Sequence, residues 1–388
     1  MPYIPPTHHF ERVSRLIAGR VTDAGAEHAR LASSHLRALH DYHLDPGAST
    51  GPRILSAAEL RIIQRGEQAL LGASGLCLPR LHEMVREAGY CVLLANADGV
   101  TIDYCVDHDH RNDFKRAGLY LGSCWSEQEE GTCGIAAALS DQSAITVHKT
   151  DHFRAAFTGL TCSAAPIFSS NDELIGVLNA SALYSPDERD SQRLVNRLVR
   201  QNAVLIEDAY FLKTHTHCWV VLGHRNRHYV EVQPEILIAI DGHGQVLAAN
   251  RCARQCIPEL SVLPGAAPRH IDALFDLRAE RLFATHAGQA LLALRPVGGG
   301  ALLHARVRAP LKCASSRPAA RRAAPADIVL DAQPDATEGF DLLEREHIKQ
   351  ALTQTQWRAA LAAPLLGMSR ATLYRRIARF KIVAPHRL

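Results

Sequence analysis

The stretch from Trp125 to Ala182 limits the possible folds most tightly. Gly131 to Leu139 is a run of small and apolar residues, the composition of a short helix that packs closely. Ala144 to His148 alternates apolar and polar side chains, the period of a half-buried strand. His152 to Thr158 reads as a connection and Cys162 to Phe168 as a second, apolar strand. Asn171-Asp172-Glu173 supplies a turn before a third strand, Leu174 to Ala180, so the last two strands form a hairpin. Together these elements predict a sheet with helical cover over a small interior cavity, not a catalytic surface.

With 388 residues, 47% of them hydrophobic, the chain has material for several cores and two or three domains. Its net charge of +3 says little, but the distribution says more: from Trp357 to Leu388 there are seven Lys or Arg and no acid. A basic terminus of that kind fits a polyanion. The ten cysteines are irregularly spaced, with no Cys-x-x-Cys pair and no zinc framework. Met1 to Arg12 lacks the apolar core of a signal peptide, and no apolar run approaches the ~18 residues of a membrane helix. The expectation is a cytoplasmic chain with reduced thiols and no membrane partner.

Before the central stretch, Phe10 to Ala18 and Ala24 to His40 are helical, and Asp45-Pro46-Gly47 and Gly51-Pro52 break the pattern. Ser56 and Glu59 have capping-box spacing at the head of a helix, and Leu78 to Ala88 forms the next one. Tyr90 to Ala95, the turn Asn96 to Gly99, and Val100 to Val106 make a hairpin that opens the sheet. After it, Ser185-Pro186 starts a long helix reaching about Leu212. Cys218 to Leu222 and His228 to Val232 read as strands, and Glu235 to Ile240 with Gln245 to Ala249 as a hairpin around Asp241-Gly242-His243-Gly244. Asn250 starts a helix, and Ala290 to Arg295 with Ala301 to Val307 forms a last hairpin. Lys312 to Gly339, rich in Ala, Pro, Arg and Asp without periodicity, is a linker.

Several strings of the central stretch fall in a fixed order: Trp125-Ser126-Glu127, Gly131-Thr132, Val147-His148, His152-Phe153, Thr161 to Ile167 and Gly176-Val177-Leu178. This set resembles the sensory GAF domain of the acetoin-catabolism activators, a branch of the bacterial enhancer-binding regulators. The resemblance implies an effector pocket around Trp125, Cys133, His148, Phe153, Thr161 and Cys162. Cys133 stands where those activators usually have Asn, and Ala136 where they usually have Gly, so their ligand is not carried over. In the same resemblance the long helix after Ser185 is the exit helix of the GAF domain, either pairing across a dimer or packing on its own sheet. The strands and helix of 214–311, best in ILIAIDGHGQVLAAN, resemble a small PAS-like module of that branch.

Relatives in this branch carry an ATPase domain where the linker lies. A P-loop needs GxxxxGK[ST] to cradle phosphates, and none of the six lysines has that context. The ATP-driven step is therefore not carried over.

His108, His110, Asp107, Asp109 and Asp113, with His148, His152 and several cysteines, could ligate iron or zinc, yet their spacing fits no ligand pattern and a solvated loop accounts for them. Cys124, Cys133 and Cys162 could serve a redox sensor or a GAF enzyme that reduces methionine sulfoxide, which would need a lowered thiol pKa. No motif requires a cofactor.

At the C-terminus, Phe340 to Leu352 and Trp357 to Leu366 are helical, Gly367-Met368 is a turn, and Ser369 caps a helix from Arg370 to Phe380. Leu373, Ile377 and Phe380 share its inner face, leaving a basic outer face for the major groove. LEREHIKQAL followed by LLGMSRATLYRRIARFKI resembles the Fis-type DNA-binding module. By that resemblance Ser369 caps the reading helix, Arg370, Thr372 and Arg376 reach base edges, and Tyr374, Arg375 and Arg379 touch phosphates. Pro364, inside the second helix, is a departure that a helix interior tolerates poorly.

The expected molecule is an α+β multidomain protein. It has an N-terminal helical segment (1–52), a GAF sensor domain (53–213), a PAS-like module (214–311), a linker (312–339) and an all-α Fis-type helix-turn-helix (340–388). The expected role is a DNA-binding transcription regulator, not an enzyme. It would be a homodimer on double-stranded DNA, answering an unknown small-molecule effector and acting through RNA polymerase. A second possibility is a modulator of a full-length ATPase relative.

Overall fold

The computed structural model describes residues 6–18, 26–185, 192–260, 269–285 and 291–311. In the C-terminal part it describes Ile348, Lys349, Leu352, Thr353, Thr355, Trp357, Ala362, Leu373, Ile377, Phe380 and Ile382. The chain divides into two compact units, Met1–Ser315 and Ser316–Leu388.

The first unit opens with α1 (Pro6–Ala18) and α2 (Ala26–Leu36), the latter running into a π-helical turn, Arg37–Asp41. Next come α3 (Ala57–Gly66), α4 (Gln68–Ser74) and α5 (Cys77–Val85). The capping box read from sequence is present at α3: Ser56 Oγ accepts from Glu59 N–H at 3.3 Å and the Glu59 carboxylate accepts from Ser56 N–H at 2.8 Å. Then follow β1 (Tyr90–Asn96), β2 (Thr101–Cys105), α6 (Arg111–Arg116), α7 (Glu127–Glu130), α8 (Gly134–Asp141), β3 (Ile145–His148), β4 (Thr161–Phe168), β5 (Leu174–Ala182) and α9 (Gln192–Thr214). Pro186, the expected first helical residue, lies outside the described residues, and Ser185 accepts from the Gln192 side-chain amide at 3.1 Å.

The strands form one antiparallel sheet in the order β2-β1-β5-β4-β3. Because side chains alternate along a strand, the sheet has two distinct faces. Cys91, Leu93, Val147, Cys162, Ala164 and Val177 lie on the face covered by α8, together with Leu31 of α2, Trp125 and Phe157. Val92, Leu94, Ala165, Ile167, Leu178 and Ala180 lie on the other face, against α4, α5 and α9. Leu31 is fully buried in the first of these clusters, so the N-terminal helices and the sheet share a core.

A second sheet is built from β6 (Trp219–His224), β7 (Ile236–Ile240), β8 (Val246–Ala249), β9 (Leu292–Leu294) and β10 (Leu303–Arg308), in the order β8-β7-β6-β10-β9. Helices α10 (Arg251–Cys256) and α11 (Ala279–Thr285) accompany it. The expected hairpin around Asp241 to Gly244 forms, with Asp241 Oδ1 accepting from His243 and Gln245 N–H at 2.8 and 2.9 Å and Gly244 at φ 84°. Asn250 caps α10 by accepting from Ala253 N–H at 3.0 Å. His228 to Val232, expected as a strand, is instead a turn. Asn226 Oδ1 takes the His228 N–H at 3.0 Å and Asn226 O takes the Tyr229 N–H at 3.1 Å, and these local bonds occupy the groups a ladder would need.

Helix α9 serves both sheets. Val199, Ala203 and Ile206 pack on the first, and Phe211 packs with Val220, Leu237, Ala239 and Ala248 of the second.

In the C-terminal unit, Ile348, Leu352, Ala362, Leu373 and Ile382 are buried together, with Trp357, Ile377 and Phe380 against them. The inner seam expected for Leu373, Ile377 and Phe380 is therefore present. Trp357, expected to open the second helix, is instead a turn residue at φ 61°, its N–H donating to Leu352 O at 2.6 Å.

Candidate effector site

The six residues expected around one pocket do not share one. Trp125, Cys133 and Cys162 lie in the core beneath α8. His148 and Thr161 are cross-strand partners whose side chains meet at 3.0 Å. They share the opposite face of the sheet: His148 is two residues from Thr146, which bonds Ser163 at 3.0 Å and accepts from Asn196 of α9 at 3.1 Å. Phe153 packs with Val13 and Ala38 under the N-terminal helices, its ring 5.8 Å from that of His35. The alternation Thr146-Val147-His148 already carried this division, since Val147 and His148 cannot face the same way.

The N-terminal helices instead complete the α8 side through a polar seam. Ser34 Oγ bonds the Glu127 carboxylate and reaches Thr132 Oγ1 at 2.8 Å. Arg37 donates twice to Glu127, at 2.8 Å each, and lies 3.6 Å from Asp141. His35 Nδ1 is 2.8 Å from Leu31 O and 3.1 Å from Thr132 Oγ1, and His9 Nε2 is 2.8 Å from Phe153 O. Gly131, at φ 68°, allows the Phe153 ring to close in, because a Cβ there would lie 2.6 Å from a ring carbon. Sequence reasoning did not single out His9, Ser34, His35, Arg37, Glu127 or Thr132 for the site. The available signal was the small polar pair Ser33-Ser34 beside His35 in the expected helix Ala24 to His40.

Behind this seam lie buried polar atoms with no hydrogen-bond partner among the described residues: His35 Nε2, His152 Nε2, Trp125 Nε1 and Asn179 Oδ1. Phe157 connects two of them, its ring 5.4 Å from Trp125 and 6.4 Å from His152. Burial lowers the pKa of both histidines to about 4, overriding the opposing backbone hydrogen bonds. Each Nδ1 faces a carbonyl, Leu31 O at 2.8 Å and Lys149 O at 2.9 Å, which assigns the proton to Nδ1 and leaves Nε2 a lone-pair acceptor. Trp125 Nε1 can only donate. The interior thus offers two neutral acceptors and a donor within an aromatic lining.

The thiols are poorly placed for nucleophilic work. Burial pushes Cys162 up to about 11 and Cys133 still further up, and Ser181 Oγ donates to Cys162 Sγ at 3.1 Å. Cys124 is likewise raised by burial. Among the described residues, no three His, Cys, Asp or Glu side chains converge as metal ligands, and His108 is 97% exposed. Ser369, Arg370, Thr372, Tyr374, Arg375, Arg376 and Arg379, the expected DNA contacts, lie outside the described residues, as does Pro364.

Two family models match the chain: the GAF domain over residues 76–206 and the bacterial regulatory protein, Fis family, over residues 340–380. The acetoin catabolism regulatory protein of Cupriavidus necator is 38% identical over 297 residues, covering 75% of this chain and 44% of that protein. The chain is a homologue of that regulator, built from a GAF domain and a Fis-type helix-turn-helix domain. The acetoin dehydrogenase operon transcriptional activator of Bacillus subtilis is 27% identical over 43% of this homologue and 27% of its own length. The regulator homologue thus spans less than half the length of either curated relative. Among solved structures, the E. coli DhaR(N)-DhaL complex aligns at 15% identity and a TM-score of 0.42, covering 71% of this chain and 98% of that one. Helices α1 to α4, and with them His9 and His35, lie before the residues matched by the GAF model.

Proposed function

We propose that this chain is a DNA-binding transcription regulator whose GAF interior, closed by the N-terminal helices, takes a small neutral molecule. The observation that carries this reading is the set of unpartnered polar atoms behind the seam. A buried polar group left unpaired costs about 1–3 kcal/mol, and a bound ligand would remove that cost. The ligand complement follows from the atoms: hydroxyl or amide donors for the neutral His35 Nε2 and His152 Nε2, and an acceptor for Trp125 Nε1. Occupancy would pass along α9, which packs on both sheets. DNA would be gripped by the C-terminal module as a homodimer in the cytoplasm, with ordinary polymerase contact in place of an ATP-driven step.

Two measurements test this. Purified full-length chain is mixed with randomised duplex DNA and the retained fraction is sequenced; an enriched two-fold symmetric site is expected, and retention without sequence preference would reject the reader. Thermal shift against a panel of neutral hydroxy and amide metabolites, run beside carboxylates, tests the sensor. Stabilisation by neutral compounds that disappears in His152→Leu is expected, whereas stabilisation by carboxylates alone would reject the assigned complement.

A further inference from the structure

A second, separate feature is a groove of about 1000 Å³ along the outer side of α9. Its floor is apolar and small, from Ala144, Ala165, Pro166 and Ala203. Its walls are basic and come from three elements. Helix α9 contributes Arg193, Arg197 and Arg200, spaced i, i+4, i+7 and therefore on one helical face about 10 Å long. Arg30 of α2 approaches from the opposite wall, and Arg251 of α10 closes one end. The two acids of the lining are already engaged. Glu27 accepts from Thr146 N–H at 3.1 Å, and Glu207 accepts from Phe168 N–H at 2.9 Å and pairs with Arg251 at 2.6 Å. Arg30 donates to the Ser143 hydroxyl at 2.8 Å and lies near the Asp141 carboxylate, and among the described residues its buried Nε has no hydrogen-bond partner.

We propose that this groove binds a small molecule carrying a polyphosphate group. Guanidinium groups such as those of Arg197, Arg200 and Arg30 match the oxygens of a phosphate chain, each phosphate able to take two parallel N–H donors. Glu27 blocks the free edge of β3 by taking the Thr146 N–H, so an added peptide strand is a poorer fit than a compact anion.

Isothermal titration of the full chain at about 150 mM salt, with ADP, pyrophosphate and adenosine as probes, decides the matter. Saturable binding of one ADP or pyrophosphate per chain is expected, weakened about tenfold or more by Arg197→Glu with Arg200→Glu. The same binding should be unchanged in Arg61→Glu, an exposed site on α3, and in Arg376→Ala. Equal weakening by Arg61→Glu would reduce the effect to net charge. Loss only in Arg376→Ala would move it to the DNA reader, and absence of saturable binding would leave no site. If the α9 double variant turns a dimer into a monomer without any anion binding, the groove is a subunit interface. Each of these four results overturns the proposal.

Discussion

His35 and His152 stay neutral for one reason: burial removes the water that would stabilise the imidazolium. The sign of the pH effect follows. Both pKa values fall from 6.5 to about 4, so between those values the unfolded chain binds more protons than the folded one and stability declines as pH falls. At pH 5 each imidazole should contribute on the order of 2 kcal/mol of that loss. Denaturant midpoints for wild type and His152→Gln, compared at pH 7 and pH 5, should show a smaller acid loss in the variant. Equal losses would mean that His152 titrates at its ordinary value. Gly134 sets a second residue-scale limit, since a Cβ there would lie 2.6 Å from Cys162 Cβ and 3.0 Å from Asn179 Oδ1. Gly134→Ala should therefore destabilise by roughly 1–3 kcal/mol despite the better helix propensity of Ala, and Gly134→Ala with Cys162→Gly should recover part of it. A stabilised single variant would show that the sheet and α8 have room to separate.

At the scale of elements, what the sequence made legible was local, and what it hid was distant. The capping box of α3, the Asp241 to Gly244 turn and the Asn250 cap depend on residues two to four apart, so their chemistry is written in short strings. The joining of Ser34 and Arg37 to Glu127 spans 93 and 90 positions and leaves no period to read. Setting residues 1–52 apart from the sensor was the reading such a sequence invites. A chain beginning at Arg53 tests how much α1 and α2 contribute. It loses the burial of Val13, Leu31 and Ala38 and leaves the Glu127 carboxylate without Ser34 and Arg37. The expected result is a melting temperature lower by roughly 10 °C and new binding of a hydrophobic dye. An unchanged transition would make the helices an appendage. The junction of α9 with the second sheet behaves oppositely to the histidines. Burial raises Glu207 from 4.5 to about 7 and Asp208 from 3.8 to about 6, so the folded chain holds protons that the unfolded chain has released. Stability from these groups is full at low pH and lost as pH rises through about 7. Glu207→Gln should flatten that decline between pH 4.5 and 7, read as the slope of unfolding free energy against pH and not as its level. An unaltered slope would place the titration elsewhere.

For the whole molecule, the central question is how the GAF domain and the Fis-type module divide their work. The inner seam of the C-terminal unit was legible because a Fis-type module repeats its apolar residues within one short helix, and Leu373, Ile377 and Phe380 do meet there. The expected outer face, Arg370, Thr372, Arg375, Arg376 and Arg379, lies outside the described residues, and its role is the one the Fis-type resemblance implies. Outward basic residues on a reading helix have two separable duties. Contacts to base edges discriminate between sequences, while contacts to phosphates release counterions and strengthen all binding alike. Alanine at Arg370, Thr372 or Arg376 should therefore cost about 1–3 kcal/mol on the selected duplex and little on a scrambled one. Alanine at Arg375 or Arg379 should weaken both duplexes equally and reduce the slope of log affinity against log salt by about 1. Fluorescence anisotropy with both duplexes over a salt series separates the outcomes. Were Arg376→Ala to weaken both duplexes equally, the helix would lie across the backbone and not in the groove. The sensor would then have to control where the protein rests on DNA by some element other than this one.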